Sequence, residues 1–206
     1  MRILRHFLIG LFLTIAGIAA LMLIPSKQAV APMPWEVTVM PDGNSKVFGI
    51  HIGTTTYRQA QEKLRIYGKT AIFTQEGVPH TAEAFFNSIN LGGLSAKLVL
   101  NLEVPASHID GMVSRAMESR LQPSGAHRYE LNNDDNASLL NAPITAITYI
   151  PSVRLDAEMV RYRFGNADTV ELDSENPATE IWLYNELGLA IRMTEGEKTI
   201  LEYQLH

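Results

Sequence analysis

Phe7 to Ile24 is a run of 18 residues without a charge, FLIGLFLTIAGIAALMLI, and nothing else in the chain constrains its fate so strongly. About 18 apolar residues in a helix are just enough to span a hydrocarbon core of roughly 30 Å. Arg2, Arg5 and His6 precede the run and Pro25 closes it. A basic flank stays on the cytoplasmic side, so the spacing predicts a single-pass inner-membrane anchor over 1–24 with the C-terminal part periplasmic or extracellular. A cleaved signal segment is the alternative, with Ala29-Val30-Ala31 as a small-x-small cleavage site. The run exceeds the roughly 7–15 residues of a signal's apolar core, and proline at position 32 would follow the cut, so retention is the expectation.

Charge narrows the partners. All 22 acidic residues lie beyond the apolar run, whereas two of the 17 basic ones precede it, which leaves the remainder of the chain at −7. That balance argues against nucleic acid, which needs a basic face. The chain has no cysteine, which excludes disulfides, thiolate metal sites, iron–sulfur clusters and an acylated N-terminal Cys.

Beyond the run, residues 25–34 read as a proline-containing linker and 35–104 as a first α+β unit. Trp35 to Val39 and Lys46 to Ile50 alternate around the turn residues Pro41-Asp42-Gly43-Asn44, a hairpin pattern. Thr54-Thr55-Thr56 offers caps for a helix whose face carries Tyr57, Ala60, Leu64 and Tyr67, with Gly68 placed to end it. Strands follow at 70–74, 81–87 and 94–103. Residues 105–143 form a connecting helical segment, with Ile109, Met112, Val113, Ala116 and Met117 on one face, a short strand at 127–131 and a short helix near 136–140. A second unit covers 144–206: a strand at 144–150, a helix at 153–164 ending at Gly165, and strands near 180–184, 188–193 and 198–204. The expected fold class is therefore α+β, an N-terminal transmembrane helix followed by two helix-plus-antiparallel-meander units in two layers.

The two units look like a repeat. Gly68 corresponds to Gly165 and Phe85 to Trp182 at one offset, and Gly93-Leu-Ser-Ala-Lys-Leu98 corresponds to Gly188-Leu-Ala-Ile-Arg-Met193 at nearly the same one. Ile52-Gly53-Thr54 through Tyr67-Gly68, with Trp182-Leu-Tyr184 and Glu195-Gly196-Glu197-Lys198, resembles the BamE (SmpA/OmlA) family of small envelope-assembly proteins. The tandem arrangement resembles the β-lactamase-inhibitor proteins, which duplicate a related unit. The resemblance implies an envelope protein that binds other proteins across its sheet and has no active site.

The residues that carry chemistry read as structural. The six histidines show no i, i+4 pair and no HExxH. Ser107, His108 and Asp110 lie at a helix start without a GxSxG elbow, and a cap explains them. Asn132 to Asn136 lacks the glycine and distal Glu of a calcium loop. No catalytic residue, metal ligand or cofactor-binding residue is expected, and the chain reads as a non-enzyme. The expected function is a membrane-anchored protein-binding module of the envelope, for assembly or scaffolding. The alternative is an accessory single-pass subunit of a larger membrane complex, its helix packing through Gly10, Ala16, Gly17, Ala19 and Ala20. The expected partners are proteins, together with the membrane through residues 7–24. Phe85 or Phe86 in the first unit and Trp182 or Tyr184 in the second are the candidate protein-binding anchors, on the reasoning that a sheet covered on one side by helices leaves aromatics on the other.

Overall fold

The computed structural model describes His6, Leu11, Thr14, Ile15, Gly17, Ala19, residues 32–91 and residues 93–205. Residues 1–30 and 31–206 form two separate compact units. Among the described residues no helix is long and apolar enough to cross a membrane. Most of 7–24, and all of Ala29-Val30-Ala31, lie outside the described residues. The transmembrane helix, the signal-anchor reading and the single-pass inner-membrane location expected from the sequence are corrected accordingly.

The second unit opens with three short strands, β1 (Thr38–Val39), β2 (Ser45–Val47) and β3 (Ile50–His51), paired in that order as a small antiparallel sheet. Helix α1 (Tyr57–Leu64) follows, closed at its start by a capping box in which Thr56 and Gln59 exchange side-chain-to-backbone hydrogen bonds. Next come β4 (Lys69–Gln75), β5 (Val78–Leu91) and β6 (Leu94–Leu102), then α2 (Ala106–Ser114), β7 (Glu118–Leu121), β8 (His127–Glu130) and α3 (Asn133–Leu139). The chain ends with β9 (Ile144–Pro151), α4 (Ala157–Phe164), β10 (Thr169–Leu172), β11 (Thr179–Tyr184), β12 (Leu189–Thr194) and β13 (Ile200–Gln204).

Strands β4 to β13 join in one antiparallel sheet of ten, ordered β10-β11-β12-β13-β9-β6-β5-β4-β8-β7. The expected pair of two-layer units is thus corrected to a single continuous sheet. Of the eight strands from β10 to β4 the middle pair is β13–β9, and the meanders that follow α1 and α4 each run inward to it from opposite sides. The strand order reads alike in both directions from that pair, so that β4-β5-β6-β9 corresponds to β10-β11-β12-β13, with matched strands running in opposite directions. The halves are unequal, since β5 has 14 residues and β11 six. Residues 105–143 are an excursion between β6 and β9 that adds two outer strands beyond β4.

Cross-strand partners share a face, so the register assigns every side chain. One row runs Phe86, Leu98, Tyr149, Leu201, Ile191, Trp182 across six strands, and all six are buried, at most 5% exposed. This row belongs to the main core, together with Val47, Phe48, Ile50 and Ile52 from the small-sheet region, Tyr57 and Ala60 of α1, Ile109 and Met112 of α2, Leu139 of α3 and Val160 of α4. The helices and the small sheet therefore cover one side. Phe48 stacks obliquely on Tyr149 at 5.0 Å, and the Tyr203 hydroxyl, in the same layer, donates to the Pro34 carbonyl at 2.6 Å.

Two helix ends differ from the sequence reading. Helix α1 stops at Leu64, where Arg65 takes a left-handed conformation (φ 54°) and returns its N–H to the Gln61 carbonyl. Tyr67 is therefore exposed at 81% instead of completing the buried face. Helix α2 stops at Ser114 because the Met117 N–H is taken by the Glu130 carbonyl, which starts the β7–β8 pairing and leaves Met117 exposed. Gly165 does end α4 with positive φ (81°), whereas Gly68 has another use: a Cβ there would meet the Phe86 ring at 2.6 Å.

Candidate functional site

The side of the ten-stranded sheet away from the core is the surface to weigh. Its central row is Lys69, Phe85, Val99, Thr148, Glu202, Ala190, Leu183 and Thr169, one residue from each of eight neighbouring strands. At a strand spacing of about 4.8 Å the row is roughly 34 Å long. The row beside it carries Ala71, Glu83, Asn101, Ala146 and Gln204, and on the other side Lys97 pairs with Ile150 and Ile181 with Arg192. Phe85, Val99, Ala146, Thr148, Ile150, Ile181 and Leu183 are all half-buried, each shaded by its neighbours on the sheet. The face is thus an apolar band interrupted by Thr148 and Glu202.

Its charges are partly fixed. Arg192 donates from Nη1 to Asp173 at 2.6 Å and from Nε to Glu202 at 2.9 Å, and the Glu202 hydrogen bond chiefly raises its already high pKa. This ties β12 and β13 to the loop after β10. Burial pushes the Glu83 carboxyl above the usual range, partly offset by the Thr81 hydroxyl, which donates to it at 2.9 Å. At the outer strands Arg120 holds Glu118 through two contacts of 2.7 and 2.9 Å. Arg128 lays its guanidinium over the Phe85 ring, 4.7 Å from the centroid.

The four anchors proposed from sequence fall on both faces. Phe85 is on the open face, half-buried under Arg128. Phe86, Trp182 and Tyr184 are on the helix face and are core residues, 5%, 3% and 4% exposed. Phe86 packs on Gly68. The Trp182 indole donates to Glu180 at 2.9 Å beneath the Arg161 guanidinium, and the Tyr184 hydroxyl donates to the Gly165 carbonyl at 3.1 Å. The correction has a simple cause. Adjacent residues of a strand face opposite ways, so Phe85 and Phe86 divide, while Trp182 and Tyr184 are two apart and share the side that α4 covers. Phe85 and Trp182, matched in the sequence repeat, are consequently not equivalent.

The residues set aside from chemistry have visible positions. His51 contacts Asp42 at 3.0 Å, and His80 lies 3.6 Å from Asp110, both near the surface. Asn132 caps α3 through the Asp135 N–H, and the buried Asp135 takes Arg115 at 2.7 Å. Among the described residues no group of three or more His, Asp or Glu is placed to hold a metal ion. The reading from sequence missed Val99, Thr148, Leu183 and Ala190. A signal was present: apolar residues at 96, 98, 100 and 102 turn 97, 99 and 101 to the other side. Comparison with family models, curated proteins and solved structures found no match to this chain.

Proposed function

We propose that this chain is a protein-binding module that receives its partner across the open face of the ten-stranded sheet. The observation that carries the reading is the unbroken row from Lys69 to Thr169 with no helix packed on it among the described residues. A band roughly 34 Å long matches the footprint of a standard protein interface, about 800 Å² per partner. Its make-up fits as well: apolar centres at Val99, Ile150 and Leu183, Phe85 beneath Arg128 at one end, and polar interruptions at Thr148 and Glu202. The net charge of −7 beyond the apolar run turns the reading away from nucleic acid. The role is also the one implied by the resemblance to the BamE family. The partner is a protein presenting an apolar surface with hydrogen-bond donors opposite Glu202.

A photo-crosslinking amino acid placed at Thr148 or Leu183, with Glu158 on the outside of α4 as the control, tests this in the cells that make the protein. A discrete adduct from both sheet positions and none from 158 is the expected result. Adducts from 158 alone, or from none of the three, would overturn it.

A further inference from the structure

At the outer end of the sheet the β4–β8 ladder ends at the Ala71–Glu130 pair, and β8 turns away into α3. Lys69 and Thr70 are left beyond the ladder, and a groove of about 440 Å³ opens between the parted strands, α1 and α3. Its accessible apolar lining is Met117, Ala137 and Leu140, and Asn133, Lys69, Arg128 and Glu130 bring polar groups to it. The volume is within the usual range for small-molecule sites, about 300–1,000 Å³.

Arg128 is the unusual member. Among the described residues none of its donors meets an acceptor, and its Nε is shut off from solvent without a partner. The guanidinium plane is held by the Phe85 ring. Glu118, whose charge it feels, is already bound to Arg120. The pairing puts Arg128 directly opposite Arg120 and Glu130 opposite Glu118, and like charges in direct register are unfavourable. Lys69, at the same groove, also has no carboxylate partner among the described residues. Two unpaired cations against one exposed carboxylate leave the groove positive in a chain that is otherwise acidic. A guanidinium fixed by stacking, with its Nη donors unpaired, is arranged for a planar or tetrahedral oxyanion.

We propose that this groove binds a small oxyanion-bearing molecule, its carboxylate or phosphate held by Arg128 and Lys69 and its body lying against Met117, Ala137 and Leu140. The site does not depend on the protein-binding role of the open face.

Isothermal titration calorimetry of the full chain at low ionic strength, with succinate and with inorganic phosphate as separate probes, tests it. A saturable heat with either probe is expected, and which probe binds identifies the oxyanion. Arg128→Gln should weaken binding roughly 10- to 100-fold, the usual worth of a hydrogen bond to a charged group. Lys69→Gln, at an exposed position where folding is not at stake, should weaken it by several-fold, while Lys97→Gln, at an exposed position of β6 that does not line the groove, should leave it unchanged. No saturable heat with either probe would overturn the proposal. So would affinity that survives Arg128→Gln or, should that variant fail to fold, affinity that survives Lys69→Gln.

Discussion

Gly68 offers the sharpest test of how the helix layer meets the sheet. Its φ is outside the left-handed region, so a side chain there meets no backbone penalty. Space is the constraint. A Cβ would lie 2.6 Å from Phe86 Cε1, 2.7 Å from Cζ and 2.9 Å from the Phe85 carbonyl oxygen, all well inside contact distance. The ring must swing by most of an ångström within a packed core, and the carbonyl belongs to a strand held on both sides. Overpacking of this kind costs about 1–3 kcal/mol. For a domain of this size that is a loss of roughly 2–12 °C in Tm. Urea unfolding followed by far-ultraviolet circular dichroism would measure Gly68→Ala, Phe86→Leu and the double variant. Phe86→Leu removes the two ring atoms, so the penalty of Gly68→Ala should shrink in its presence, with a coupling of at least about 0.5 kcal/mol. Gly165→Ala is the control: φ is 81° and nothing lies within 4 Å, so its cost is conformational and independent of residue 86. A Gly68→Ala variant within about 0.5 kcal/mol of the parent, or a penalty untouched by Phe86→Leu, would refute the close-approach argument.

Two further outcomes follow from burial. Trp182→Ala and Tyr184→Ala should each cost about 3–5 kcal/mol by differential scanning fluorimetry, because both rings lie in the helix-covered core; melting temperatures near the parent's would return them to the surface. Burial raises the Glu83 carboxyl above its ordinary 4.5, so the folded state binds that proton more tightly than the unfolded chain and loses stability as pH rises through this range; Glu83→Gln should therefore stabilise the protein at pH 7, with the advantage closing as pH falls towards 4, and an advantage that persists in acid would exclude this cause.

Where local pattern and long-range pairing agree, the fold was legible. The alternation from Ser95 to Val104 identified β6 and its inward face, and the threonines at 54–56 with the Tyr57–Ala60 spacing placed the start of α1, where Thr56 proves to be the cap. Where an element depends on a distant partner, local pattern misled. Met112, Val113, Ala116 and Met117 continue a helical face in sequence, but the Glu130 carbonyl takes the Met117 N–H and converts the segment to an edge strand. Strand β10 has four residues, all exposed, and pairs with β11; its Thr-Val-Glu-Leu alternation is a short strand signal that the sequence reading passed over. Gly68 shows a different ambiguity. A glycine after a helical run reads as a terminator needing positive φ, yet here the absent side chain makes room for Phe86, and the termination falls to Arg65.

The candidate site was half legible for a related reason. A pair such as Phe85-Phe86 must split between the faces of a strand, but which face the helices take is decided by rows that cross six strands. Once Tyr149 and Leu201 are inside, Thr148 and Glu202 are outside, and with them Val99, Ala190 and Leu183. The polarity of that row then constrains what can cover it. Glu83 is already held above its ordinary pKa by partial burial, and Arg192 is the one ionic partner of Glu202 among the described residues. A wholly apolar partner would deepen both desolvation costs without compensation. The surface that fits must therefore bring donors to Glu83 and Glu202 while it covers Val99, Ile150 and Leu183, and that pairing of requirements is what gives an otherwise generic sheet face a specific partner.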